Sequence, residues 1–177
     1  MKRNEALPVD AEQAVLVGIA KSFTTQSQRF RFVIVQNIDN MQLREVGMKL
    51  TKGTRVITVQ QPWATLIALR EKCVEYRSWP TSYRGPLAIA SSKAFPKDRR
   101  EQCQTGWAKK MLRKHGLSVD DLPRGKVLCI TALLDCREES DGGYGLVLDC
   151  KRLKVFHPPI SIPPGGFHLG LWKWKSS

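Results

Sequence analysis

The sequence predicts an α+β fold that is mainly β: a small, partly open barrel with two or three peripheral helices and an N-terminal extension. Three observations point there. After Arg55, six or seven short segments rich in β-branched residues succeed one another, separated by turn signals. Helical patterns interrupt only the early segments. Late in the chain, Pro158, Pro159, Pro163 and Pro164 bracket an extended connection expected to stay out of any ladder interior.

Taken in order, Arg55–Gln60 (RVITVQ) is the first strand, its β-branched side chains suiting a pleated, half-buried surface. Pro62 opens a helix over Trp63–Lys72, because a proline at the first helical position is already set for the turn. Trp63, Leu66, Ile67 and Arg70 follow the i, i+3, i+4, i+7 spacing, an apolar stripe ending at a charged rim. Cys73–Trp79 reads as the second strand. Its period of two puts Cys73, Glu75, Arg77 and Trp79 on one face, with Val74 and Tyr76 on the other. A turn at Arg84–Pro86 leads to a third strand, Leu87–Ser91. Lys97–His115 is read as one helix with Trp107, Met111 and Leu112 on its buried side. Ser118–Asp121 has the form of a capping box on a short helical turn that Pro123 stops. Lys126–Cys136 is apolar on both faces and is expected to be central. Tyr144–Asp149, Leu153–Phe156 and His168–Trp174 complete the strands.

Residues 1–50 read as an extension and residues 51–177 as the barrel domain. In the extension Ala14–Ala20 and Phe30–Val35 suggest at most a β-hairpin, which needs the main domain to pack on. A mis-assigned start, with Met41 or Met48 the true one, is the alternative. The apolar run behind Met1-Lys2-Arg3 is superficially like a signal peptide, but Glu5, Pro8, Asp10 and Glu12 intervene. No stretch approaches the roughly 20 apolar residues that span a bilayer. The five cysteines form no C-x-x-C pair and suggest neither a disulfide framework nor a zinc site. A cytoplasmic monomer with no cofactor, no metal and no membrane contact is expected.

Charge narrows the partners. The chain has 29 Lys+Arg against 16 Asp+Glu, net +13, which favours polyanions, nucleic acid first among them. Residues 55–177 hold 21 of the basic and 11 of the acidic residues, so the excess belongs to the barrel. Between Lys93 and Lys114 eight basic residues face only Asp98 and Glu101, and Lys110 and Lys114 form a ridge able to track a phosphate backbone. A merely solvated face is the competing reading.

The segment Gln61-Pro62-Trp63-Ala64, followed by Glu71-Lys72-x-x-Glu75-x-Arg77-Ser78-Trp79-Pro80 and Tyr83-Arg84-Gly85-Pro86, resembles the ASCH (activating signal cointegrator homology) family of the PUA-like barrel superfamily. The likeness resumes in Arg124-Gly125-Lys126-Val127, in Tyr144–Leu148 and in Gly170-Leu171-Trp172-x-Trp174. Two positions depart from the family pattern. Arg70 stands where a glycine is usual, and Ala90 where a histidine is.

The resemblance implies an RNA-binding module, with RNA or another nucleic acid or nucleotide as partner. Lys72, Arg77, Arg84, Lys93, Lys110 and Lys114 would hold phosphates, and Glu75 would meet a base, with Tyr83 also at the site. Chemistry agrees: Arg77 can grip phosphate bidentately, and a carboxylate between two cations can orient a base amine. Trp63 and Trp79 offer flat surfaces for stacking, though Trp63, on the apolar stripe, reads first as core. The alternative is a small hydrolase acting on RNA or a modified nucleoside, of ribonuclease or amidohydrolase type, with Lys72 and Glu75 as its base and acid. A structural ion network of Lys72, Glu75 and Arg77 is the plainer reading of the same residues. A protein-interaction module is a third class, supported by the family name alone.

Overall fold

The computed structural model describes residues 50–166 and 168–175. The readings for residues 1–49, the hairpin and the start codon, lie outside the described residues. Among these residues seven strands form one sheet that does not close: β1 Arg55–Val59, β2 Val74–Arg77, β3 Gly85–Ser91, β4 Lys126–Glu138, β5 Tyr144–Leu148, β6 Lys154–Ser161 and β7 Leu171–Lys173. Among the described residues three helices accompany it: α1 Trp63–Ala68, α2 Lys97–Gln102 and α3 Gly106–Lys114. The class is α+β, mainly β, open and barrel-like.

The strand order is β2-β5-β4-β3-β1-β7, with β6 also on β4. The long apolar strand is the organiser. The first half of β4 pairs with β3 on one edge and β6 on the other, and its second half pairs with β5. A bulge between Leu133 and Asp135 falls within the pairing to β5, giving the strand the bend that curling requires. β1 and β3 are parallel, so the chain must cross over between them, and α1 and β2 lie in that crossover.

Alternation along β1 and β3 feeds two cores. Ile57, Leu87 and Ile89 pack with α1, Leu112 and Leu128 on one side. Val56, Ala88 and Ala90 pack with Val127, Trp172 and Trp174 on the other. Full burial of such side chains stabilises by about 1.5–3 kcal/mol each relative to exposure.

Four expectations change. The helix over Trp63–Lys72 stops at Ala68, because Arg70 takes a left-handed φ of 62°. The helix over Lys97–His115 is two helices, broken at Gly106, whose φ is +53°. The buried residues of α3 are Ala108 and Leu112, while Trp107 is 46% exposed. The last strand but one continues through Pro158 and Pro159. Both prolines fall in the irregular stretch between the pairs Cys129↔Val155 and Val127↔Ile160, so no ladder bond is asked of them. The capping box at Ser118 is present as read, with Asp121 Oδ2 accepting from the Ser118 N–H at 2.8 Å.

A Cys73–Cys150 disulfide corrects the cysteine reading. The antiparallel register Val74↔Val147 sets the start of β2 beside the end of β5, and the Leu148 N–H donates to Cys73 O at 2.8 Å. The two sulfurs, 77 residues apart in sequence, meet as a result. Cysteine usage therefore no longer argues for a reducing compartment. Among the described residues no helix is long and apolar enough to cross a membrane.

Candidate nucleic-acid cleft

The Q-P-W segment has a structural task. Gln61 is fully buried, and its Oε1 accepts a hydrogen bond from the Thr65 N–H at 3.1 Å, satisfying a donor that the start of α1 would leave open. Its Nε2 donates to Pro123 O at 2.6 Å, tying the helix start to the segment before β4. With α1 so anchored, Trp63 stands at its exposed shoulder. The chain then turns at Arg70 and runs through Glu71–Cys73 into β2.

Arg70 explains one departure from the family pattern. The backbone there adopts the conformation that glycine takes without strain. In place of that freedom the arginine side chain donates from Nε to Cys150 O at 3.0 Å and from Nη2 to Leu153 O at 2.7 Å. These bonds fix the turn from the far side. Ala90, the other departure, is fully buried against Val56 and Trp172 in the second core, so its position is one of packing.

The residues from α1 to β2 line a cleft of about 690 Å³ with Gln60, Arg99 and Trp107. Glu75 is 6% exposed. Its Oε1 lies 3.1 Å from Arg77 Nη2 and its Oε2 3.3 Å from Lys72 Nζ. The strand period accounts for the Glu75–Arg77 half of this arrangement. Lys72 is not at a helix end, as the sequence suggested, but in the connecting turn. Its Nζ donates to Val74 O and sits 4.7 Å from the centre of the exposed Tyr76 ring. Burial, with the Arg77 charge, holds the Lys72 ammonium below the usual lysine range against the opposing pull of Glu75. Arg77 Nη2 also donates to Thr58 O at 2.7 Å, linking β2, one end of the open sheet, back to β1. Arg77 Nε is buried with no protein partner, a donor left over at the site.

A second carboxylate completes the rim. Glu71 Oε1 accepts from Lys114 Nζ at 2.8 Å and lies 2.7 Å from His115 Nε2, so the end of α3 is clamped to the α1–β2 turn. Burial would raise the Glu71 pKa, but the hydrogen bonds from Lys114 and His115 outweigh it and hold the group below its ordinary value.

Of the residues read from the sequence, Lys72, Glu75 and Arg77 therefore converge, with Trp63 in the same wall. Lys114 joins at the rim through Glu71. Trp79 is half-buried and packs on the first core rather than lining the cleft. Tyr83 donates to Pro86 O at 2.6 Å, and Arg84 pairs with Asp135 at 2.9 Å; neither lines the cleft. Lys93 and Lys110 are exposed outside it. Missed from sequence were Arg99 and Trp107. Arg99 lay inside the basic run, and Trp107 was placed on the inward stripe, which the break at Gly106 shifts by one residue. Among the described residues no group of three or more His, Cys, Asp or Glu side chains is placed to hold a metal.

Residues 57–143, from β1 into the turn after β4, match the ASCH domain family. These residues form an ASCH domain. The chain is 36% identical over 110 residues to human activating signal cointegrator 1, an alignment covering 62% of this chain and 17% of the relative. Mouse activating signal cointegrator 1 is 35% identical over 138 residues, covering 70% of this chain and 23% of that protein. The chain thus spans less than a quarter of each relative. The ASCH match contains the whole Lys72–Glu75–Arg77 cluster and both cleft-lining tryptophans.

Proposed function

We propose that this ASCH domain binds single-stranded nucleic acid, RNA in the first instance, with a base in the cleft and its backbone along α2 and α3. One observation carries the reading: a buried carboxylate, Glu75, within 3.1–3.3 Å of two cationic groups at the floor of a cleft walled by tryptophans. A carboxylate so placed accepts hydrogen bonds from an exocyclic base amine, and Arg77 Nε–H beside it is a donor without a protein partner. The lining itself is nearly balanced, Lys72, Arg77 and Arg99 against Glu71 and Glu75. The attraction for phosphate comes from Lys97, Arg100, Lys109, Lys110, Arg113 and Lys114 on the two helices. The relatives' name speaks of signal cointegration and says nothing of a ligand.

Measuring affinity for a short single-stranded RNA against salt tests this. If four to six phosphates are engaged, log K falls with log salt at a slope of about −3 to −5. Tight binding that ignores salt would sink the electrostatic half. The burial that lowers the Lys72 pKa also suits a general base, so the hydrolase reading has its own support. Turnover of a nucleoside or RNA that Lys72→Ala abolishes, with RNA binding intact, would replace the binding module by that enzyme.

A further inference from the structure

Trp107 is conspicuous by where it stands. It is the second residue of α3, directly after the left-handed Gly106, is 46% exposed, and lies against Trp63 with ring centroids 6.3 Å apart and planes inclined by only 14°. Trp63 packs partly on the first core and gives the pair a fixed footing. Both rings line the cleft that Glu75 floors. The α3 helix buries Ala108 and Leu112 without help from Trp107, so core packing does not account for an indole at this position. Leaving half of so large an apolar ring in water forfeits burial that the neighbouring stripe could have offered.

We infer that the Trp63–Trp107 pair is a stacking platform that takes one unpaired base of a single-stranded nucleic acid, an inference resting on the reading above. Three features select that occupant. The rings are near-parallel, so a further flat ring extends the stack on the free indole face, as base stacking on aromatic side chains requires. Arg99, on α2 and lining the same cleft, carries a guanidinium for the phosphate next to the stacked base; its Nη1 donates to Gln102 at 2.9 Å, which orients it. Charge on the surrounding helix is basic, with Lys109, Lys110, Arg113 and Lys114 following Trp107 within two turns. A duplex keeps its bases stacked on one another and has none to offer.

The platform separates from the electrostatic contribution by experiment. Fluorescence anisotropy of the full chain would be measured with a labelled eight-nucleotide RNA of mixed sequence and with its abasic counterpart. Trp107→Ala should weaken binding of the base-bearing RNA roughly 5- to 150-fold and leave the abasic RNA unaffected, with the salt slope unchanged. Trp107→Phe, which keeps a flat ring, should recover most of the loss. Circular dichroism of each variant checks that the exposed site has been changed without unfolding. Equal affinity of the wild-type chain for the two RNAs, or no effect of Trp107→Ala on the base-bearing one, would overturn the platform while leaving phosphate binding standing. Failure of the wild-type chain to bind either RNA would overturn the nucleic-acid reading and the platform with it.

Discussion

Arg70 shows how a single side chain replaces a backbone property. Its φ of 62° is the conformation for which glycine is the usual choice, and a residue with a Cβ is strained there by about 1 kcal/mol. Two charge-assisted hydrogen bonds to Cys150 O and Leu153 O offset that strain. The two contributions can be separated. Arg70→Ala keeps the strain and loses the bonds, and should cost about 2–3 kcal/mol. Arg70→Gly loses the bonds but relieves the backbone, and should recover roughly 1 kcal/mol of that. Urea unfolding of both variants reads the order; an alanine variant as stable as the glycine one would contradict it. The face shared by Glu75 and Arg77 was legible from the strand period alone. The setting of Lys72 was not, because a helix that ends four residues early moves everything behind it.

At the scale of elements, β2 is a wall of the cleft, and its pairing with β5 is stapled. β2 has four residues, pairs among the described residues only with β5 and lies at one end of the sheet, so its ladder alone is weak. The Cys73–Cys150 bond closes a loop of 77 residues and joins that strand's start to the segment after β5. Restricting the unfolded chain in this way is worth about 2–4 kcal/mol. Reduction by a dithiol should therefore lower the urea midpoint of the wild-type chain to that of Cys150→Ser, and leave Cys150→Ser itself unmoved. Identical midpoints for oxidised wild type and the variant would show the staple to be energetically idle. Nothing in local spacing marks these two cysteines, since only the register of β2 on β5 brings them together. The break between α2 and α3 was equally hidden: glycine inside a helical pattern is tolerated often enough that Gly106 alone does not announce a stop.

For the molecule as a whole, the cleft exists because α3 is held over the α1–β2 turn, and Glu71 is the clamp. Its carboxylate binds Lys114 and lies against His115, 43 and 44 residues further on. Because the folded-state pKa of Glu71 lies below its ordinary 4.5, this contribution is present above that value and lost as the pH falls through the lowered one. Glu71→Gln should melt lower than wild type at pH 7 by roughly 2–4 °C, for a contribution of about 1 kcal/mol. The gap should close as the pH drops below the carboxylate range, and a gap that stays constant from pH 7 to 3 would exclude the ion pair as its source.

The α+β class, the strand at each β-branched segment, the ASCH signature and the common face of Glu75 and Arg77 were all determined by the sequence. Each follows from local periodicity or a contiguous motif, which act within a few residues. Tertiary structure alone decided that Trp107 leaves the core stripe for Trp63, that Cys73 finds Cys150, and that Arg84 and Tyr83 are occupied elsewhere. Those outcomes depend on what a residue meets across the sheet or from another helix. Such partners are selected by register and packing over long separations, and no local pattern records them.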